Sequence, residues 1–290
     1  MTDGKAAERP RSEGEPSEAS EGGGPIRADA EVVAVGDEGG GNRRLTLRVE
    51  GWPGFEPGQF VMLSPGPEAA APRFDPLLPR PMAVYRASDR GGATDVEILF
   101  KVTGRGTALL GAARSGERVR VLGPLGHGFR RPEPGERAVI VAGGTGIASV
   151  YELAARLAPT TRVLVLLGAR TRDDLLGRRD FAALDVTLEI ATDDGSEGTR
   201  GVVTELLAAA LEAGGAARVY ACGPTAMMRR AAAMAAARRQ PCVASLENPM
   251  ACGFGVCLGC AVPLRAGGFA LVCRDGPMFD AETVAWEGLS

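Results

Sequence analysis

The hydrophobic pattern along the chain changes period once, near residue 136. From about residue 28 apolar and polar positions alternate in short runs divided by Gly, Pro and Asp, as in half-buried strands. Six runs show it: AEVVAVGD (30–37), RRLTLRVE (43–50), GQFVMLSP (58–65), RPMAVYRASD (80–89), DVEILFKV (95–102) and ERVRVLGP (117–124). Their regular spacing predicts a β-barrel of Greek-key type, interrupted by one short helix, TALLGAA (107–113).

Beyond residue 136 the strands become continuous apolar runs, the kind covered on both faces of a parallel sheet. They are RAVIVAGG (137–144), RVLVLLGA (162–169), VTLEIATDD (186–194) and ARVYACGP (217–224). Segments at helical spacing alternate with them: IASVYELAARLA (147–158), DLLGRRDFAAL (174–184), VVTELLAAALEAG (202–214) and TAMMRRAAAMAAARR (225–239). This alternation predicts a doubly wound α/β domain whose right-handed crossovers bring all strand ends to one edge. After Arg239 the helical pattern stops, and 240–290 reads as loop-rich. The expected division is a disordered tail over 1–27, a barrel over 28–132, an α/β domain over 133–240 and a small C-terminal domain over 241–290.

Composition narrows the function classes. Hydrophobic residues make up 45% and charged residues 24%, an ordinary globular balance. A net charge of -3 argues against nucleic acid or an anionic membrane as partner. No apolar run reaches the roughly 18 residues of a membrane span. Residues 1–27 are rich in Gly, Pro, Ser and Glu and have no apolar core, so they read as a tail and not as a secretory signal. The expected compartment is the cytoplasm, where clustered cysteines usually hold metal instead of disulfides.

Five of the six cysteines lie beyond residue 240. Four are spaced Cys252-x4-Cys257-x2-Cys260-x12-Cys273, the plant-type [2Fe–2S] pattern. Gly253, Gly255 and Gly259 between them permit the tight turns needed to wrap a small cluster. Zinc prefers two C-x2-C-like knuckles, and only one is present; structural zinc and free thiols stay open as alternatives. Cys222 and Cys242 lie outside the set and read as packed thiols, Cys222 ending a strand and Cys242 preceding one.

Two turns at the α/β sheet edge suit a dinucleotide. In VAGGTGIAS, Gly143, Gly144, Thr145 and Gly146 let a backbone approach a diphosphate at a helix start. In ACGPTAMM, Cys222, Gly223 and Pro224 would flank a nicotinamide, although a plain strand-end turn reads the same way. Where an acid for the ribose is expected, the chain has Arg170 and Arg172, which leaves NAD against NADP open. On the barrel, Arg80 offers a bidentate guanidinium, and Gly106 and Thr107 offer amides at a helix start. Lys101 is the only lysine besides Lys5, among 31 arginines, a rarity that biased composition also explains. His127, the only histidine, reads as a loop residue near a flavin or at the surface. Glu247 is expected either to pair with a cluster-loop amide or to be solvated, and Phe129 and Phe254 either to shield cofactors or to pack.

A barrel followed by a nucleotide domain resembles the ferredoxin–NADP reductase superfamily. Within it, RPMAVY, LFKVTGRGT, GPLGHGF, AGGTGIA, TDDGSEGTRG, CGP, SLENPMACGFGVCLGC and CRDGPMFDAETV occur in the order found in electron-transfer subunits of two-subunit, NAD-linked dihydroorotate dehydrogenases. The resemblance spans about 28–287 and implies FAD, one [2Fe–2S] cluster, NAD and a catalytic partner carrying FMN, two of each subunit per assembly. It implies FAD on Arg80, Pro81, Met82 and Ala83, on Leu99, Phe100 and Lys101, and on Gly106 and Thr107. It implies cluster ligands Cys252, Cys257, Cys260 and Cys273, and nucleotide turns over 143–146 and 222–224. Ala83 departs from the family, which usually has Ser or Thr there; a hydroxyl contact beside the flavin is lost, and flavin binding is expected to survive. The implied activity is transfer of electrons from dihydroorotate through the cluster and FAD to NAD+, without any acid or base residue in this chain. Two other readings share most motifs: an NAD(P)H-dependent reductase subunit of a sulfite reductase, hydrogenase or transhydrogenase type, and a cluster-based redox sensor.

Overall fold

A computed structural model describes residues 23–66 and 75–289. Most of the expected tail lies outside the described residues, but Ile26 and Arg27 already pair with Gly123 and Leu122 in the first strand. The N-terminal half forms β1 (Ile26–Gly39), β2 (Asn42–Glu50), β3 (Phe60–Pro65), β4 (Arg80–Ala83), β5 (Arg86–Asp89) and β6 (Ala93–Lys101). Helix α1 (Arg105–Gly111) and strand β7 (Arg118–Leu125) complete it. Their antiparallel sheet runs β4-β3-β7-β1-β2-β6-β5. Alternation decides which way each strand faces: Leu45 and Leu47 pair with Ile98 and Val96 inside, while Thr46 and Arg48 face out.

The segment 80–89, expected as one strand, is two. Its halves, β4 and β5, are the two edges of the sheet, joined only by Val84 and Tyr85. The Val84 amide donates to Gln59 beside β3, and the Tyr85 amide donates to Glu97 on β6. Curling the sheet until its edges meet therefore forces the break, and both linking side chains are fully buried.

The second sheet holds β8 (Arg137–Gly143), β9 (Val163–Ala169), β10 (Thr187–Thr192), β11 (Thr199–Arg200), β12 (Ala217–Cys222) and β13 (Cys242–Ser245), all parallel. Helices α2 (Ile147–Leu157), α3 (Arg178–Ala182), α4 (Val203–Glu212) and α5 (Thr225–Ala237) lie among these strands in the chain. The helix expected over 174–184 is broken. Gly177 takes a left-handed φ of 60° and starts the five-residue α3, and a side chain there would run into the Tyr85 hydroxyl. The C-terminal segment is more regular than its sequence suggests. It contributes β13, then β14 (Ala261–Pro263) and β15 (Phe269–Leu271) as a small hairpin, α6 (Val272–Asp275), and β16 (Met278–Asp280), antiparallel to β13. Cys242 does not precede a strand but begins β13, opposite Val219. Cys260, Val262 and Cys273 share one apolar core with Met62 of the barrel and Ala221 of the parallel sheet. Among the described residues no helix is long and apolar enough to cross a membrane.

The barrel and the α/β sheet are clasped by charge. Arg44 of β2 donates to Glu38 at 2.6 Å, to Glu97 at 2.7 Å and to Asp180 of α3 at 2.6 Å, and the Tyr85 hydroxyl donates to Asp180 at 2.8 Å. Burial raises the Asp180 pKa, but the bonds from Arg44 and Tyr85 outweigh it and hold the carboxyl below its ordinary range. Such a group stabilises the fold above its unfolded pKa of about 3.9, and the contribution is lost as pH falls through the lower folded value. Replacing Asp180 with Asn is expected to cost about 2 kcal/mol in urea unfolding at neutral pH. The gap between variant and parent should close as the titration descends below about pH 4; a gap independent of pH would show that the clasp is not ionic.

Candidate functional site

A cleft of about 480 Å3 opens between barrel and α/β sheet. Its barrel wall is Arg80, Pro81, Met82 and Ala83 of β4 with Leu99, Phe100 and Lys101 of β6, and Thr107 reaches it from α1. Gly106 lies just outside, under the Arg80 side chain, where a Cβ would collide with the guanidinium. This bare glycine lets Arg80 lie against the start of α1, a cradle suited to a diphosphate. The Thr107 hydroxyl is already committed: it accepts from the Thr103 and Gly104 amides and donates to the Gly104 carbonyl. Ala83, opposite Phe60, brings no polar side-chain atom.

The facing wall carries residues that sequence reasoning did not single out. Ser149 of α2 and Ser245 of β13 line the cleft and hydrogen-bond the buried Cys222 thiol. Desolvation, helped by the Glu247 carboxylate, pushes that thiol up to about 12, so it is neutral. The signal available for Ser245 was its place at the end of a strand in the parallel sheet, since all such ends share one edge. Glu247 makes no bond to a cluster-loop amide among the described residues and is exposed to solvent at the mouth of the cleft. It opens on the cleft, has no side-chain hydrogen bond or ion pair among the described residues, and is pushed up from the usual carboxyl range by desolvation.

A second cavity of about 480 Å3 lies beyond the C-terminal ends of the parallel strands. The sheet order β10-β9-β8-β12-β13 reverses between β8 and β12, the switch point where open α/β sheets bind ligands. Both glycine turns leave the sheet there. Gly143, Gly144, Thr145 and Pro224 line the cavity, while Gly146, Cys222 and Gly223 lie beneath it and lock the turns together. A Cβ on Gly146 would sit 2.5 Å from the Cys222 carbonyl carbon, and one on Gly223 would sit 2.7 Å from the Gly143 oxygen. Neither arginine offered for a phosphate is free. Arg172 is held by Ser196 and by Glu197 at 3.1 Å, and Arg170 pairs with Asp174 at 3.4 Å.

The four cysteines fall into two pairs. The Cys260 and Cys273 sulfurs are 3.2 Å apart and buried, and the Cys273 amide donates to the Cys260 sulfur. The Cys257 amide donates to the Cys252 sulfur at 3.5 Å. Desolvation raises the Cys252 pKa, but amides of Cys257, Phe254 and Val256 overcome it and bring the thiol down to about 6. Desolvation and the Cys260 contact push Cys273 up to about 12. Among the described residues no three Cys, His, Asp or Glu side chains converge on one point fit for a single metal ion. Two thiol pairs suit the two ends of a [2Fe–2S] rhomb better than one tetrahedral zinc. Gly253, at φ 85°, seats the loop on the barrel, since a Cβ there would come within 2.5 Å of Met62. His127 is exposed and outside both clefts, its amide bonded to Gly276. Phe129 is buried against Tyr220, whereas Phe254 is exposed, with its amide on the Cys252 sulfur.

Known proteins resemble both halves of this arrangement. A family model described as oxidoreductase NAD-binding domain matches residues 140–233. One described as the iron–sulfur cluster binding domain of dihydroorotate dehydrogenase B matches 247–285. The chain is 39% identical to the dihydroorotate dehydrogenase B (NAD(+)) electron transfer subunit of Desulforamulus reducens, covering 80% of this chain and 87% of that one. It is 40% identical to the subunit of the same name from Bacillus caldolyticus, over 79% and 86%. Among solved structures, the NADH-dependent reduced ferredoxin–NADP oxidoreductase of flavin-based electron bifurcation superimposes with a TM-score of 0.78 at 28% identity, over 90% of this chain and 91% of that one. The ferredoxin reductase of carbazole 1,9a-dioxygenase gives 0.60 at 25%, over 75% and 67%.

The interlocked turns make a sharp prediction. Gly146→Ala should force them apart and weaken NAD+ binding about tenfold, the effect of 1–2 kcal/mol of overpacking. Equilibrium titration of the flavin-loaded protein measures it; unchanged affinity would mean that the turns do not shape the nucleotide site.

Proposed function

The chain belongs to the electron-transfer subunits of dihydroorotate dehydrogenase B, and on that premise we propose that it relays electrons from dihydroorotate, oxidised on a companion catalytic subunit, to NAD+. Its cofactors are FAD, one [2Fe–2S] cluster and NAD. Bound flavin supplies the one chemistry the relay needs, exchanging electrons singly with iron–sulfur and in pairs with nicotinamide. The companion carries FMN, and the assembly holds two copies of each subunit.

One observation carries this reading. The backbone that lines the flavin cleft, residues 246–250, runs directly into the cluster loop at Cys252. Flavin cleft and thiol pairs are thus neighbours along one short segment. Arg80 and Gly106 hold the flavin diphosphate, Pro81, Met82, Ala83, Leu99 and Phe100 hold the body of the molecule, and Lys101 and Thr107 close its edge. Cys252 with Cys257 and Cys260 with Cys273 would hold the cluster as two pairs of thiolates. The turns at 143–146 and 222–224 hold the dinucleotide and aim it at the flavin. Ser149 and Ser245 bring hydroxyls to the cleft that Ala83 lines without one, and burial keeps the Cys222 thiol protonated and out of the chemistry.

The companion docks on the cluster loop. Phe254, Val256 and Leu258 are 55%, 73% and 62% exposed, around the exposed Cys257. Leu258 holds a left-handed φ of 59°, costly for a bulky residue, in a loop that leaves its side chain exposed. An exposed apolar patch beside a redox centre suits a partner surface.

A second reading is favoured by the likeness to the ferredoxin–NADP oxidoreductase over 90% of this chain: the same relay serving a different companion. Mixing with a purified FMN-containing catalytic subunit separates the two, because only the first reading gives dihydroorotate-dependent NADH formation. In that mixture Cys257→Ala should abolish NADH formation, whereas NADH should still bleach the flavin band of this chain. Val256→Glu should cut NADH formation about tenfold at limiting companion, an effect that saturating companion restores. Undiminished formation with Cys257→Ala would remove the cluster from the path.

A further inference from the structure

Lys101 stands where the two cavities meet. Its residue lines both the flavin cleft and the nucleotide cavity, a position shared only with Thr145. It ends β6, a barrel strand, yet its ammonium crosses to the α/β part and donates to Asp174 at 2.9 Å. Among the described residues it is the only lysine.

The nucleotide cavity has few charges. Its cations are Lys101, Arg170 and Arg230, and its anions are Asp174 and Asp193. Lys101 and Arg170 both sit on Asp174, one on each carboxylate oxygen. The segment bearing Asp174 is fixed against the barrel, because the β1–β2 turn packs on it. A Cβ on Gly40 would lie 2.7 Å from the Asp173 carbonyl and 2.9 Å from the Asp174 carboxylate. The glycine turn at 143–146 offers amides and no charge. A dinucleotide brings two phosphate charges into this space, and an ammonium is a compact, freely rotating partner for them.

We propose that the Lys101 side chain is a ligand of the dinucleotide's diphosphate, and that Asp174 holds it in place until the nucleotide arrives and competes with the diphosphate for it. The proposal rests on the reading of this cavity as the NAD site. It divides Lys101 between two cofactors: the strand carrying it borders the flavin, and its ammonium serves the nucleotide. The nucleotide then grips the barrel and the α/β sheet together, through the strand whose Leu99 and Phe100 line the flavin cleft. In the resting protein the Asp174 carboxyl is held below its usual range, Lys101 being the main cause, as expected of a stand-in for the phosphate.

The test is titration calorimetry of the flavin- and cluster-loaded protein with ADP-ribose, which has the diphosphate and lacks the nicotinamide. Lys101→Met should weaken binding about tenfold, the effect of one charge-assisted hydrogen bond, and Lys101→Arg should retain most of the affinity. Asp174→Asn should act in the opposite direction and tighten binding about threefold. In a Lys101→Met background the same Asp174→Asn change should have a smaller effect, because the competition is gone. Raising salt should weaken the parent more than Lys101→Met. A Lys101→Met protein with parental ADP-ribose affinity overturns the proposal, whether or not it has lost flavin. So does an Asp174→Asn protein that binds more weakly, which would make the pair a purely structural bridge. If the parent binds neither ADP-ribose nor NAD+, the reading of the cavity itself falls, and the proposal falls with it.

Discussion

Tyr85 is a phenol with nowhere to reach water. It sits where the two edges of the barrel meet, fully buried, and its hydroxyl must find an acceptor inside the protein. The acceptor is Asp180, across the boundary in α3. A carboxylate brought there needs a cation, and Arg44 supplies it while satisfying Glu38 and Glu97 as well. Gly177 has no side chain because the phenol occupies that space. Closing the barrel, breaking the expected helix and seating the α/β sheet on the barrel are therefore one event. The two cavities are what that seating leaves between them.

The same economy of space recurs at the sites. At three close approaches of a backbone to another backbone or to a side chain, a glycine stands at the contact. Gly106 admits Arg80, Gly146 and Gly223 admit each other's turns, and Gly253 admits Met62. These contacts place the helix start of α2, the Cys222 turn and the cluster loop relative to one another with little freedom. In a relay, where distance between carriers governs transfer, rigid placement is the main task of the polypeptide. Beside the flavin cleft lie a buried neutral thiol, Cys222, with the Ser149 and Ser245 hydroxyls on it, and a carboxyl, Glu247, without a side-chain partner among the described residues.

Much of the architecture was legible because its signals are local. Alternation in β2 and β6, the apolar runs of β8, β9 and β12, and the i, i+3, i+4 spacing of α2 depend only on near neighbours in the chain. The errors came where distant contacts intervene. Nothing in RPMAVYRASD says that its middle is a seam, since the seam exists only when the sheet curls. Nothing in DLLGRRDFAAL warns of a break except Gly177, whose cause is Tyr85, 92 positions earlier. The loop-rich reading of 240–290 missed β16 and misplaced the start of β13, because each is short and stabilised by an already formed sheet edge.

The sequence by itself determined the order of barrel and α/β parts, the glycine turns and the four-cysteine spacing, because each of these is carried by short stretches of the chain and not by contacts across the boundary. Tertiary structure decided which groups meet across the boundary: Tyr85 with Asp180, Lys101 with Asp174, Ser149 and Ser245 with Cys222, and the thiols in two pairs. Those meetings depend on how far a curled sheet brings one end of the chain to another. Spacing along a sequence does not encode that distance; only the packing of two sheets around a common interface sets it.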